Sequence, residues 1–189
     1  MQIANEYLEH AKELICKEVF YNDSLASKCH VSYGWPSSKG LSAKNRTIGQ
    51  AWQQGGKEAI FISPVLFKHG NDIQVLETLV HELIHIDIGV AKGHRGGFKK
   101  AMNEVGLTGK ATATIAGEEL RERLNDLKSF HDLQDLPELK LDKSLTKKQG
   151  TRLILIECDC GRKLRLSRKV LDEGSIQCNS CDSLFKEQA

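Results

Sequence analysis

A helical pattern of apolar residues from Ile73 to Val90, interrupted by His81 and His85, constrains this chain more than any other feature. Histidines four residues apart project from one side of a helix, about one turn from each other, so both imidazoles can reach one metal ion. The apolar residues form a face broad enough to lie in a hydrophobic core: Val75, Leu76, Leu79, Val80, Leu83, Ile84 and Ile88. The segment therefore predicts a buried helix that presents two metal ligands.

Glu82 completes an HExxH sequence with these histidines, the pattern of zinc metallopeptidases. A catalytic zinc usually has three protein ligands and leaves a fourth position to water. His94 is the best candidate for the third ligand, because glycines at 93, 96 and 97 allow the chain to turn back after the helix. The residues predict one catalytic Zn²⁺ held by His81, His85 and His94, with Glu82 as the base that activates the zinc-bound water.

A competing interpretation is that these histidines are ordinary polar residues on an amphipathic helix. HExxH is short enough to occur by chance in unrelated proteins. The strongly predicted helix and the third histidine behind a glycine turn favour the metal site. The wider spacing to His94 disfavours the metzincins, in which the third histidine comes sooner.

The cysteines form the second motif. Of the six, four lie near the end of the chain as two pairs, Cys158 with Cys160 and Cys178 with Cys181, separated by seventeen residues that predict a hairpin. Four thiolates from two knuckles close a tetrahedral site, so these residues predict a structural Zn²⁺. The Cys-x-Cys spacing is tighter than the usual Cys-x-x-Cys and could strain one knuckle. The alternatives are reduced cysteines without a metal or a redox pair.

The region from Lys140 to Lys169 is locally basic. Such a patch could follow a phosphate backbone, or it could be an ordinary solvated surface. Few aromatic residues accompany it, so base stacking is poorly supported. The candidate nucleic-acid-binding residues are Lys147, Lys148, Arg152, Arg162, Lys163, Arg165, Arg168 and Lys169.

The pattern of elements predicts an α+β fold. Residues 1–130 combine an amphipathic first helix, a small and mostly antiparallel sheet between Lys28 and Phe67, the HExxH helix and two short helices. Residues 131–150 lose periodicity and predict a linker, and residues 151–189 predict a small β module around the cysteines. No apolar stretch approaches the roughly 18 residues of a membrane span, and the first residues lack a secretion signal, which predicts a cytoplasmic protein.

Together these motifs resemble the SprT-like family of zinc metallopeptidases, which includes bacterial SprT and the Spartan proteases. The resemblance rests on the HExxH sequence, the two cysteine pairs and four further segments: Ile60 to Pro64, Gly93 to Phe98, Gly106 to Thr114 and Lys148 to Leu153. It implies a zincin-like domain with helices around a small sheet, zinc held by His81, His85 and His94, Glu82 as the general base, and a C-terminal zinc ribbon built on the four cysteines. For Spartan it further implies DNA-dependent cleavage of proteins crosslinked to DNA.

Two functions from different classes follow. The first is a zinc-dependent endopeptidase with a protein substrate and DNA as an associated partner. The alternative is a non-proteolytic nucleic-acid or transcription-associated binding protein that uses the ribbon and the basic patch. Glu82 favours the first, because a purely structural site of three histidines needs no base between its first two ligands.

Overall fold

The computed structural model describes residues 2–40, 42, 45–67, 72–138 and 153–187. The chain divides into two compact units, Met1–Leu145 and Thr146–Ala189. This division falls within the predicted linker, of which residues 139–150 lie outside the described part. The first residues of that linker pack on the first unit, because Leu133 is buried there and Lys128 pairs with Asp135 at 3.1 Å.

The first unit is a mixed α+β structure. Its strands are Cys29–Tyr33 (β1), Gly49–Gln54 (β2), Lys57–Ile62 (β3), Leu107–Lys110 (β4) and Ala113–Ala116 (β5). Its helices are Gln2–Glu18 (α1), Asp23–Ala26 (α2), Pro64–Phe67 (α3), Asp72–Ile88 (α4), Gly97–Glu104 (α5) and Glu118–Phe130 (α6), with a 3₁₀ turn at Val90–Lys92. No helix in the described ranges is long and apolar enough to cross a membrane.

The main sheet has the order β1-β3-β2 and is mixed rather than antiparallel. β2 and β3 form the expected antiparallel hairpin, whose turn at Gly55 and Gly56 has φ of 59° and 75°. β1 pairs with β3 in parallel, which departs from the mostly antiparallel sheet that the sequence predicts. Residues 34–56, which include β2, connect these two strands, and a parallel pair needs a crossover of about a dozen residues or more.

The two edges of this sheet differ. Along β1, side chains of α1 accept hydrogen bonds from the strand: the Val31 N–H donates to Glu9 Oε1 at 2.7 Å and the Tyr33 N–H donates to Asn5 Oδ1 at 3.0 Å. These bonds satisfy donors that an edge strand would otherwise expose. The edge formed by β2 instead borders α4.

Helix α4 lies at the centre of the first unit, as the sequence predicts. Nearly every turn of it is buried, and it packs against α1, α6, β2, β3 and β5. It ends at Ile88, before Gly89 with φ of 97° and the 3₁₀ turn. A second, unpredicted hairpin of β4 and β5 is held on α4, where the Ala116 N–H donates to Glu77 Oε2 at 2.8 Å.

The second unit contains Ile154–Glu157 (β6), Lys163–Leu166 (β7), Arg168–Asp172 (α7) and Lys186–Glu187 (β8). Its strands pair antiparallel in the order β7-β6-β8. The predicted hairpin between the cysteine pairs was wrong, because that stretch holds one strand and a short helix. The actual hairpin of β6 and β7 turns at the first cysteine pair itself.

Candidate functional site

Three histidines converge beside α4. His81 and His85 project from one side of this helix, and His94 returns to them after the 3₁₀ turn. The Nε2 atom of His94 lies 3.1 Å from Nε2 of His81 and 3.3 Å from Nε2 of His85. Tetrahedral ligands about 2.0–2.1 Å from a zinc ion are about 3.3–3.4 Å apart. These nitrogens could therefore hold one metal ion, and the donor set suits zinc.

The surroundings keep these imidazoles neutral and in place. Burial, followed by the neighbouring histidines, lowers the pKa of His81 to about 3 and that of His85 to about 4. Each therefore offers a lone pair at neutral pH, as a metal ligand must. The buried ring of Phe98 supports all three imidazoles, with ring centroids 4.6–4.9 Å away.

Glu82 faces β2, where it is only 6% exposed. The Ala51 N–H donates a hydrogen bond to its carboxylate. A Cβ added at Gly49 would lie 2.5 Å from Glu82 Oε1 and 2.7 Å from Thr78 Cγ2, so the strand passes too close for a side chain there. Burial raises the pKa of Glu82 to about 8, against the effect of the Ala51 bond. A cation at the histidines would lower this pKa, because it stabilises the carboxylate.

Thr114 on β5 is a contact that the sequence analysis missed. Its Oγ1 lies 2.9 Å from Nδ1 of His81. When Nε2 faces a metal, Nδ1 carries the proton and donates it to this hydroxyl, which fixes the ring orientation. The alternation of Ala113-Thr114-Ile115-Ala116 after Gly109 was the signal for a strand here, but nothing in it indicated the helix face on which that strand lies.

The four sulfur atoms of the second unit also converge. Cys160 Sγ lies 3.2 Å from Cys158 Sγ and 3.8 Å from Cys178 Sγ, and all four sulfurs lie within 4.8 Å of one another. Four such sulfurs could hold one metal ion and leave no open position.

The two cysteine knuckles differ in their local structure. Gly161 follows Cys160 with φ of 82°, a conformation that is inexpensive for glycine. In the other knuckle, hydrogen bonds from Ser183 lower the pKa of Cys181 to about 6, which favours the thiolate that a metal requires.

Comparison with known proteins bears on the first unit. A model of the SprT-like family matches residues 8–116, more than half of the chain. The chain belongs to the SprT-like family. No curated protein and no solved structure matches it. In this SprT-like chain the matched range includes the three histidines, Glu82 and Thr114, whereas the cysteine cluster lies outside it.

The SprT-like site opens into a cleft of about 840 Å³. It is lined by residues of β2 and of the segment before it, by α4 and His94, and by the hairpin of β4 and β5. Three cationic residues that the sequence analysis did not select lie along it: Lys39, Arg46 and Lys110. Their neighbours in the sequence are mainly glycines, serines and threonines, which predict turns and do not indicate a binding site.

The basic residues predicted for nucleic acid do not all come together. Lys147, Lys148 and Arg152 lie outside the described residues. Two of the others are ion-paired, Lys163 with Glu157 at 3.4 Å and Arg168 with Glu187 at 2.5 and 3.0 Å. Arg162 and Lys163 line a shallow groove of about 380 Å³ with Phe185, whereas Arg165 and Lys169 are exposed outside it.

The hydroxyl of Thr114 gives a first test of the candidate metal site. We expect Thr114→Val to weaken zinc binding by the histidines by about 10- to 100-fold, the range for losing such a supporting hydrogen bond. Thr114→Ser should restore the affinity, because it retains the hydroxyl. Cobalt titration measures this site separately, since cobalt held by imidazoles absorbs differently from cobalt held by thiolates.

A matched control lies on the same hairpin. Thr108 is exposed and donates its hydroxyl to the Ile115 carbonyl at 3.3 Å, so Thr108→Val should leave the affinity at the wild-type value. Wild-type affinity in Thr114→Val would contradict the positioning role.

Proposed function

We propose that this SprT-like chain is a zinc-dependent endopeptidase in which His81, His85 and His94 hold the metal and Glu82 is the general base. The observation that carries the proposal is the placement of one buried carboxylate beside three converging imidazole nitrogens in a cleft open to a peptide. The family membership supports the same class of enzyme.

The metal and the residues around it would have separate roles in hydrolysis. When bound, zinc supplies a Lewis acid that polarises the scissile carbonyl and lowers the pKa of the attacking water. Glu82 accepts the proton of that water at a carboxylate oxygen and returns it to the leaving amine. The Ala51 N–H holds the carboxylate during this exchange, and the absence of a side chain at Gly49 gives it room.

The edge of β2 that is not paired with β3 supports a peptide substrate. The Ser63 N–H donates to the Ile48 carbonyl at 2.8 Å, which fixes the even-numbered residues of β2 as those bonded to β3. The backbone groups of Gly49, Ala51 and Gln53 therefore point away from β3. The Ala51 N–H is bonded to Glu82, and the backbone groups of Gly49 border the cleft beside Glu82. An extended peptide could add to this edge as a further strand and bring its backbone past the base.

The same proposal includes a structural zinc held by Cys158, Cys160, Cys178 and Cys181, and an association with DNA. Support for DNA comes from the groove of the second unit, where Arg162 and Lys163 lie with Phe185. A cationic groove with an aromatic ring is the usual combination for single-stranded nucleic acid. A ribbon that binds DNA without proteolysis remains the second candidate function.

Removal and return of zinc test the main proposal. The purified chain is incubated with a disordered protein, alone and crosslinked to single-stranded DNA, before chelation, after chelation and after zinc is restored. We expect cleavage before chelation, none after it, and recovery with zinc. The His94→Ala variant should stay inactive in all three states, because the zinc would lack its third protein ligand.

The outcomes separate the two candidates. Cleavage that persists in His94→Ala after chelation would overturn the metal-dependent mechanism. Salt-sensitive DNA binding without zinc-dependent cleavage of either substrate would favour the binding protein instead.

A further inference from the structure

The charge of the cleft walls bears on which substrates fit. Lys39 and Arg46 line the cleft from the segment before β2, and Lys110 lines it from the tip of the hairpin of β4 and β5. The only carboxylate among the described lining residues is Glu82, which is buried behind β2. Cations from two separate segments therefore line the same cleft as the three histidines.

Local hydrogen bonds fix the segments that carry these cations. The Ser37 N–H donates to Gln50 Oε1 at 2.8 Å and the Gln50 amide donates to Ser37 Oγ at 3.1 Å, which ties the loop of Lys39 to β2. Arg46 uses its Nε to bind the Ser42 carbonyl at 3.0 Å. The hairpin of Lys110 is held on α4 through Thr114 and Ala116.

None of the three cations has an ion-pair partner among the described residues. The opposite charge would instead be supplied by a ligand that enters the cleft. The exposed position of each side chain keeps the effect modest, within the range of surface ion pairs.

We infer that the cleft selects peptide segments with aspartate or glutamate side chains near the scissile bond. The inference rests on the proposed peptidase function and adds the substrate class. A peptide is favoured over a nucleic-acid strand because the β2 edge beside the cleft offers backbone groups that pair with another peptide backbone.

The test uses the full-length, zinc-loaded chain and two fluorogenic peptides that differ only in having glutamate or glutamine at the residues flanking the scissile bond. The ratio of their kcat/KM values measures charge selection. We expect the glutamate peptide to be favoured by about two- to fivefold per charge pair. The ratio should approach one at about 0.5 M salt, where the Debye length is only about 4 Å.

Neutral substitutions identify the residues that cause the preference for the glutamate peptide. Lys39→Gln, Arg46→Gln and Lys110→Gln should each lower the ratio, and the triple variant should abolish the preference. Lys57→Gln is the matched control, because Lys57 is exposed at the β2–β3 turn and does not line the cleft. It should retain the wild-type ratio.

Binding by zinc-loaded Glu82→Gln, followed by fluorescence anisotropy, provides a readout that does not require turnover. Tighter binding of the glutamate peptide, lost in the triple variant, would support the inference even if neither peptide were cleaved, whereas the missing cleavage would count against the proposed function alone. Equal cleavage and binding of both peptides would overturn the inference and leave the peptidase intact. Displacement of both peptides by a single-stranded oligonucleotide, with equal affinities for the two peptides, would assign the cations to nucleic acid and also overturn it.

Discussion

Replacing Glu82 with glutamine is expected to lower kcat for peptide hydrolysis by about 10²- to 10⁴-fold while the chain keeps its metal. The amide has the shape of the carboxylate but cannot take a proton from water. Zinc binding should be unaffected, because the three histidine nitrogens lie together without help from Glu82.

The measurement pairs steady-state kinetics with zinc analysis of the same samples. Asp87→Asn is the matched control, since Asp87 is an exposed carboxylate on the same helix that does not line the cleft. It should keep the wild-type rate. His81→Ala should lose both rate and one metal, which distinguishes a ligand from a base. Equal kcat in the wild type and Glu82→Gln would remove Glu82 from the mechanism.

We expect the Glu82→Gln substitution to lower activity without lowering the stability of the metal-free protein. Burial already raises the pKa of Glu82, which means that the site disfavours a charge when no cation is present. A neutral glutamine avoids that cost, so the metal-free Glu82→Gln protein should be at least as stable as the metal-free wild type in urea unfolding. A lower midpoint in the variant would show that glutamine leaves a buried polar group unpaired.

The sequence was sufficient to predict helix α4 and the convergence of its histidines with His94. Apolar spacing fixes which face of a helix is buried, so the positions of His81 and His85 on one side follow directly. Glycine at 89 and 93, both with positive φ, explains why the chain could turn back within so few residues. The SprT-like resemblance, drawn from these motifs, is confirmed by the family match.

The parts that were missed depend on contacts between distant segments. The parallel pairing of β1 is decided by a crossover whose path local propensity does not encode. Thr114 meets His81 across 33 positions, and nothing in either neighbourhood indicates the other. Lys39 and Lys110 line one cleft although they are distant in the sequence, and local patterns do not indicate this. Local patterns predict faces, whereas packing decides which faces meet.

Replacing Cys178 with serine is expected to unfold the second unit and leave the first intact. Among the described residues of that unit only Ile156, Cys158 and Cys178 are buried hydrophobic residues, and two of these are metal-ligand candidates. So small a core cannot offset the conformational entropy of folding without further stabilisation. Structural zinc supplies about 10–16 kcal/mol in comparable small modules, far more than the stability of a short β unit.

Metal analysis and two-dimensional NMR together test this dependence. The wild type should bind two zinc ions and Cys178→Ser one, with loss of dispersed signals only from the second unit. Ser180→Ala changes an exposed residue of the same knuckle and should keep both metals, because it removes no sulfur. Two metals in Cys178→Ser, or an unchanged spectrum, would contradict the structural role. Retained zinc-dependent cleavage in that variant would further assign catalysis to the first unit, since the three histidines and Glu82 all lie within Met1–Leu145.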